Sequence, residues 1–402
     1  MSATPIVWSH IRGGRGPTQR RVSEVVDSDA LVLGSAGAEA AKRRLGSAVL
    51  GAGPLSPLLD DPLVTDVLVN GTAGVWVERG GDLQRVPCDI GDADGVRRLA
   101  VRLAGLAERR LDEASPYVDG LLPGGVRLHA VLPPLVDGAA HISLRVPRRD
   151  VATLARLQRL GALPPAWADV LCDLVAGKHS FIISGGTGSG KTTLLAALLA
   201  QTPASERVVV VEDVRELAID HPHVVRLQTR PSNVEGRGGV DMVTLVRQSL
   251  RMRPDRLVVG EVRGAEVREM LTALNTGHEG GCSTIHANTS GDLVARFEAL
   301  GALAGLEPAA TRAQLTSAIR VAIHVRRAKG MRYVESVGVL AETPGRGVTV
   351  QPALVNGPPR AAPGSGRGDG APVSFPPQVS AGRRLEPGWT LLATLLGGGG
   401  ER

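Results

Sequence analysis

A chain of 402 residues, 43% apolar and 21% charged, is long enough for two or three domains with buried cores, which excludes a peptide-sized or wholly disordered protein. No run reaches the ~18 to 20 consecutive apolar residues of a spanning helix, and the opening MSATPIVWSHIRGGRGPTQRR lacks the apolar core of a secretory signal, so the expected compartment is the cytoplasm. Net charge is +6 with a pI near 9.8, which fits either an acidic partner, nucleic acid or an anionic membrane face, or simply a basic surface.

Residues 1–36 show no sustained periodicity and read as a mobile arm; a short helix is expected over 38–51, ending at a glycine. The segment from Asp60 to Val86 alternates around Asn70-Gly71 and Gly80-Gly81, with Val67, Val69, Val75 and Val77 as strand residues of a small antiparallel sheet. A helix follows, in which Val96, Leu99, Leu103 and Leu106 recur at three and four. Two further strands, VRLHAVLP and HISLRVP, place Leu128, Ala130, Ile142 and Leu144 on core faces, and Arg127 and Arg145 on the opposite ones. Those arginines are solvated charges unless something anionic lies opposite them.

A boundary is placed near residue 150, giving an α/β domain over 37–150 and a hinge linker over 151–163. From 164 to 345 the runs SFIIS, RVVVVED, HVVRL, RLVVGE and CSTIHA alternate with helical stretches, the pattern of a mostly parallel α/β sheet. Residues 346–402 read as a Pro/Gly-rich disordered tail, whose WTLLATLL at 389–396 is either a docking segment or without structure.

The strongest chemical signal is SFIISGGTGSGKTTLLAALLA, a complete P-loop between a strand and a helix. Gly185, Gly186, Thr187, Gly188, Ser189 and Gly190 turn backbone N–H groups toward phosphate oxygens, and the helix N-terminus after them adds its dipole. Lys191 reaches the β- and γ-phosphates, Thr192 is the expected magnesium ligand, and Thr193 completes the motif. Carboxylates for the metal and the attacking water are expected at the ends of neighbouring strands, which nominates Glu212, Asp213, Glu216 and Glu261, each of which could instead cap a helix. Gly260 stands where many P-loop enzymes carry aspartate, so Glu261 is assigned to positioning or deprotonating water. In GHEGGCSTIHAN, His278, Cys282 and His286 would line one helix face as metal ligands. Gly277, Gly280 and Gly281 favour a strand, and with it a phosphate-sensing or intersubunit role for the histidines. A serine nucleophile elbow, a zincin histidine pair and a dinucleotide fingerprint are all missing.

In order, GGTGSGKTT, VVVVEDVREL, RMRPDRLVVGEVRGAE and TGHEGGCSTIHAN resemble the Walker A, Asp box, Walker B and His box of the secretion and type IV pilus ATPase family. PLLDDPLVTDVLVNG and DGLLPGGVRLHAVLPP resemble the N-terminal domain of its Tad/Flp pilus and type IV secretion branch, and the likeness covers roughly residues 52–340. The resemblance implies a cytoplasmic homo-hexamer, each subunit joining an N-terminal α/β domain through a hinge to a RecA-like motor domain, with nucleotide between them and inner-membrane platform proteins as partners. It carries Lys191, Thr192, Glu212, Glu261, His278 and His286 over as catalytic-box residues, and Arg127 and Arg145 as arginines that close over the phosphates. Arg247, Arg251, Arg253 and Arg263 are open candidates for a finger across a subunit interface. The chain has no CxxC pair for the zinc insert of the related branch, so ATP and Mg2+ are the expected ligands. The alternative is a conjugation-associated nucleic-acid translocase, for which the basic charge speaks and the small number of aromatics does not.

Overall fold

The computed structural model describes residues 51–79, 82–147, 152–230, 232, 237–328, 330–357, 360–361, 373–374 and 388–397. The expected N-terminal arm and all but the last residue of the helix expected over 38–51 lie outside these residues. The chain divides into two compact units, 1–148 and 149–402.

In the first unit, β1 (Val64–Asn70), β2 (Val75–Arg79) and β3 (Asp82–Val86) precede α1 (Ala93–Leu106), which is followed by β4 (Tyr117–Leu121), β5 (Arg127–Val131) and β6 (His141–Arg145). The strands form one antiparallel sheet in the order β3-β2-β1-β6-β5-β4. Asp92 caps α1 by accepting the Gly95 N–H at 2.8 Å, and the stripe Val96, Leu99 and Leu103 then packs on the sheet. Strand alternation sends Val67, Val69, Val75, Val77, Leu128, Ala130, Ile142 and Leu144 into the same core, as their spacing predicts.

The second unit opens with α2 (Leu154–Arg159) and α3 (Pro165–Ala176) and continues through β7 (Phe181–Gly185), α4 (Lys191–Leu199), β8 (Val208–Glu212) and β9 (Val224–Gln228). Next come α5 (Met242–Ser249), β10 (Arg256–Val262), α6 (Glu266–Asn275), β11 (Cys282–His286), α7 (Leu293–Leu303) and α8 (Pro308–Ala318). Strands β12 (Val321–Ala328), β13 (Met331–Thr343) and β14 (Gly347–Val355) complete the sheet, and α9 (Trp389–Leu395) follows. The sheet order is β14-β13-β12-β7-β11-β10-β8-β9, parallel from β12 to β9 and antiparallel at β13 and β14. Central strands are buried on both faces. Phe181 and Ile183 belong to the core beneath Leu171, Leu194 and Leu195, whereas Ile182 joins the opposite core with Met270, Phe297 and Leu315.

Two expected boundaries are corrected. The stretch 151–163 is not a bare linker, because α2 lies within it and Ala152, Leu154 and Leu163 are buried in the second unit's core. Nor is 346–402 a tail from its first residue: β14 pairs along β13, and α9 packs on β13 and β14 with Leu392 buried. The Gly388 N–H donates to Pro352 O at 2.9 Å, tying that helix to the sheet edge. No helix of the described residues is long and apolar enough to cross a membrane.

Candidate nucleotide site

The buried strand β7 ends at Gly185, and the chain turns through Gly186–Gly190 into α4. Gly185, Gly188 and Gly190 hold φ of +155°, +68° and +100°, conformations that a side chain strains. At Gly185 a Cβ would also stand 2.3 Å from Val325 O, so the backbone beneath the loop leaves no room for one. Above Gly186 there is open space. Ser189 Oγ is buried with no hydrogen-bond partner among the described residues. A glycine cradle, an unsatisfied buried hydroxyl and the N-terminus of α4 fit a nucleotide's phosphates, with the half-buried Thr192 next in line for magnesium.

Three motifs far apart in sequence converge on this loop. Lys191 Nζ donates to the Gly185 and Gly186 carbonyls, both at 3.0 Å, and lies 3.4 Å from His286 Nδ1. His286 Nε2 is in turn 2.8 Å from Glu261 Oε1. Parallel pairing is the cause: β7, β11 and β10 are neighbours, and their C-terminal ends deliver the P-loop, His286 and Glu261 to one edge of the sheet. Burial holds the Lys191 ammonium below the usual lysine range, against the opposing pull of Glu261 and Glu216. Burial and the Lys191 charge also push His286 below the usual histidine range. Its neutral ring therefore accepts from Lys191 at Nδ1 and donates from Nε2 to the carboxylate.

Glu212 closes β8 beside Gly260 of β10 and anchors the turn that follows it. Its side chain is buried, and Oε1 accepts the N–H groups of Glu216 and Leu217, both at 2.9 Å. Burial raises its carboxyl above the ordinary range. A Cβ at residue 260 would stand 2.7 Å from Glu212 Cγ, so Gly260 is small because the neighbouring strand's glutamate fills its space. Asp213 pairs with Arg263 and accepts the Thr229 hydroxyl at 2.6 Å.

His278 is not brought to the loop. It contacts Ala273 O at 3.2 Å, on the chain that enters β11, whereas His286 closes that strand. Cys282 is buried between them, its thiol pushed up to about 12 by burial. Of the four candidate fingers, Arg263 is held by Asp213 and Arg247 by Glu269 at 2.5 Å, while Arg251 and Arg253 are exposed. In the first unit, Arg127 and Arg145 are direct cross-strand partners outside the core.

Two residues at the loop escaped the sequence reading. His324 is buried in β12, its Nδ1 2.8 Å from the hydroxyl of Ser184, the residue before the loop. Arg332, at the start of β13, donates from Nε to Gly188 O at 2.8 Å. The polar HVRR and MRY runs, unlike the glycine motif, carry no signature to single them out.

A P-loop opening a helix from a sheet strand, with lysine, histidine and glutamate joined at the strand ends, defines a RecA-like P-loop domain that follows a smaller α/β domain in the sequence. The family model of type II/IV secretion system proteins matches residues 49–332, and the chain belongs to that family. It is 51% identical over 322 residues, 78% of its length and 92% of the relative's, to a Mycobacterium tuberculosis H37Rv protein named "Putative conjugal transfer protein Rv3659c". To the type IV secretion system protein PtlH of Bordetella pertussis it is 34% identical over 257 residues, covering 58% of this chain and 75% of that one. Among solved structures, the Legionella pneumophila ATPase DotB shares the fold with a TM-score of 0.50 at 21% identity, over 70% of this chain and 78% of that one. The pilus retraction motor PilT does so at 0.50 and 22%, over 69% and 79%.

Proposed function

We propose that this chain is an Mg-ATP hydrolase working as a homo-hexameric ring, which drives a type IV secretion or Tad/Flp-like pilus machine from the cytoplasmic face of the inner membrane. The observation that carries the reading is the Lys191–His286–Glu261 chain at the P-loop. In this arrangement the loop N–H groups bind the β- and γ-phosphates, and Lys191 supplies positive charge where negative charge builds. Glu261 orients the attacking water and takes its proton; His286, donating to Glu261, holds that carboxylate in place. Thr192 would hold magnesium, whose chemistry is charge neutralisation on the phosphate oxygens.

Glu261→Gln should retain Mg-ATP binding while turnover falls by about 10²- to 10⁴-fold, the usual contribution of a general base. Equilibrium nucleotide binding and steady-state phosphate release measure the two quantities separately. Retained turnover would remove Glu261 from its role. A nucleic-acid translocase is the second reading, favoured by the conjugal transfer names among relatives and by the net charge of +6. Single-stranded DNA should then stimulate hydrolysis, with a steep salt dependence.

A further inference from the structure

The P-loop is supported on one side by elements that lie C-terminal to every recognised motif. Strand β12 runs parallel to β7, with His324 opposite Ser184 and Val325 opposite Gly185, and turns back into β13 so that Arg327 and Arg332 face each other across the ladder. Arg332 Nε donates to Gly188 O at 2.8 Å. A Cβ on Gly190 would stand 3.4 Å from Arg332 Cδ, and one on Gly188 would stand 3.8 Å from Arg327 Nη1. The hairpin thus follows the loop from Gly185 to Gly190 and sets two guanidinium groups beside its middle.

Arg327 and Arg332 are cross-strand neighbours, so two guanidinium groups stand along one rim of the loop. A P-loop works only if its carbonyls point away from the phosphates while its N–H groups point toward them. A charge-assisted bond to the Gly188 carbonyl enforces that orientation in the middle of the loop. The ligand that suits a positive rim and an inward-facing N–H cradle is a nucleoside polyphosphate.

We propose that the β12–β13 hairpin is a part of the nucleotide site supplied by the same subunit, in which Arg332 is a positioning residue that fixes the loop through Gly188 and Arg327 adds attraction for the polyphosphate at its rim. The proposal rests on the reading of the P-loop as an ATP site. It concerns affinity rather than bond breaking, because neither side chain joins the Lys191–His286–Glu261 chain.

The test compares Arg332→Ala, Arg332→Lys and Arg327→Ala with the full-length wild type, by calorimetric binding of Mg-ATP and Mg-ADP at two salt concentrations and by steady-state hydrolysis. Arg332→Ala should weaken both nucleotides and raise KM by about tenfold, with kcat held within about twofold and the nucleotide-free Tm unchanged. Lysine should restore little, since an ammonium cannot reproduce the fixed Nε–H geometry at Gly188. Arg327→Ala should lower affinity and flatten its salt dependence, as loss of a rim charge requires. Wild-type affinity in both alanine variants overturns the proposal, as does a loss in Arg332→Ala that lysine fully restores, because charge alone would then suffice. Should Arg332→Ala fail to fold, Arg327→Ala decides: unchanged affinity and salt dependence refute the role of the hairpin. Wild-type protein that binds no nucleotide would instead refute the ATP-site reading itself, an outcome visible before any variant is compared.

Discussion

At the scale of single residues, Gly260 and Glu212 form a matched pair. The glycine leaves room on β10 for the glutamate of β8, whose carboxylate ties down the turn carrying Glu216 and Leu217. Gly260→Ala should therefore destabilise the fold by about 1–3 kcal/mol, the range for overpacking a filled interior, as read from urea unfolding. Glu212→Gln should act in the opposite direction. Its amide oxygen can keep accepting both N–H groups, while the buried charge is gone. Burial raises the Glu212 pKa above its ordinary 4.5, so the folded chain holds this proton more tightly than the unfolded chain, and stability falls as pH climbs through and above that value. The gain from glutamine should thus be present at neutral pH and vanish below about pH 4. A gain independent of pH would contradict this account.

At the scale of elements, the last sheet strands and α9 determine how far the second unit extends. Leu392 inserts from α9 into the core shared with Val337, Val339 and Ala353, and Leu392→Ala should cost about 2–5 kcal/mol in chemical denaturation. An undocked tail would show no change. What the sequence revealed and what it hid both follow from physical pattern. The P-loop, the alternating strands of the first unit and the apolar runs from β7 to β11 were legible because periodicity and glycine spacing are local signals. The end of the sheet was not. Val321–Val325 are buried on both faces and so show no alternation, and Pro352 reads as a break although an edge strand tolerates it. The Pro/Gly-rich composition of 357–388 then carried the tail reading into β14 and α9. Convergence of His286 and Glu261 on Lys191 depends on strand order, which no local pattern encodes. For the same reason His278, grouped with the site by motif, has other surroundings in the fold.

At the scale of the whole molecule, each unit has a core of its own, and the second holds the lysine, the histidine, the carboxylate and the loop on one sheet edge. Hydrolysis coupled to ring assembly is the central claim. Its most direct test is phosphate release from Mg-ATP by the purified full-length chain as a function of protein concentration, with Glu261→Gln as background and with single-stranded DNA present or absent. The account predicts turnover per subunit that rises with concentration as rings assemble, exceeds the Glu261→Gln background, and is indifferent to DNA. Turnover no greater than that of the variant at every concentration would contradict it, and turnover that appears only with DNA would establish the translocase reading instead.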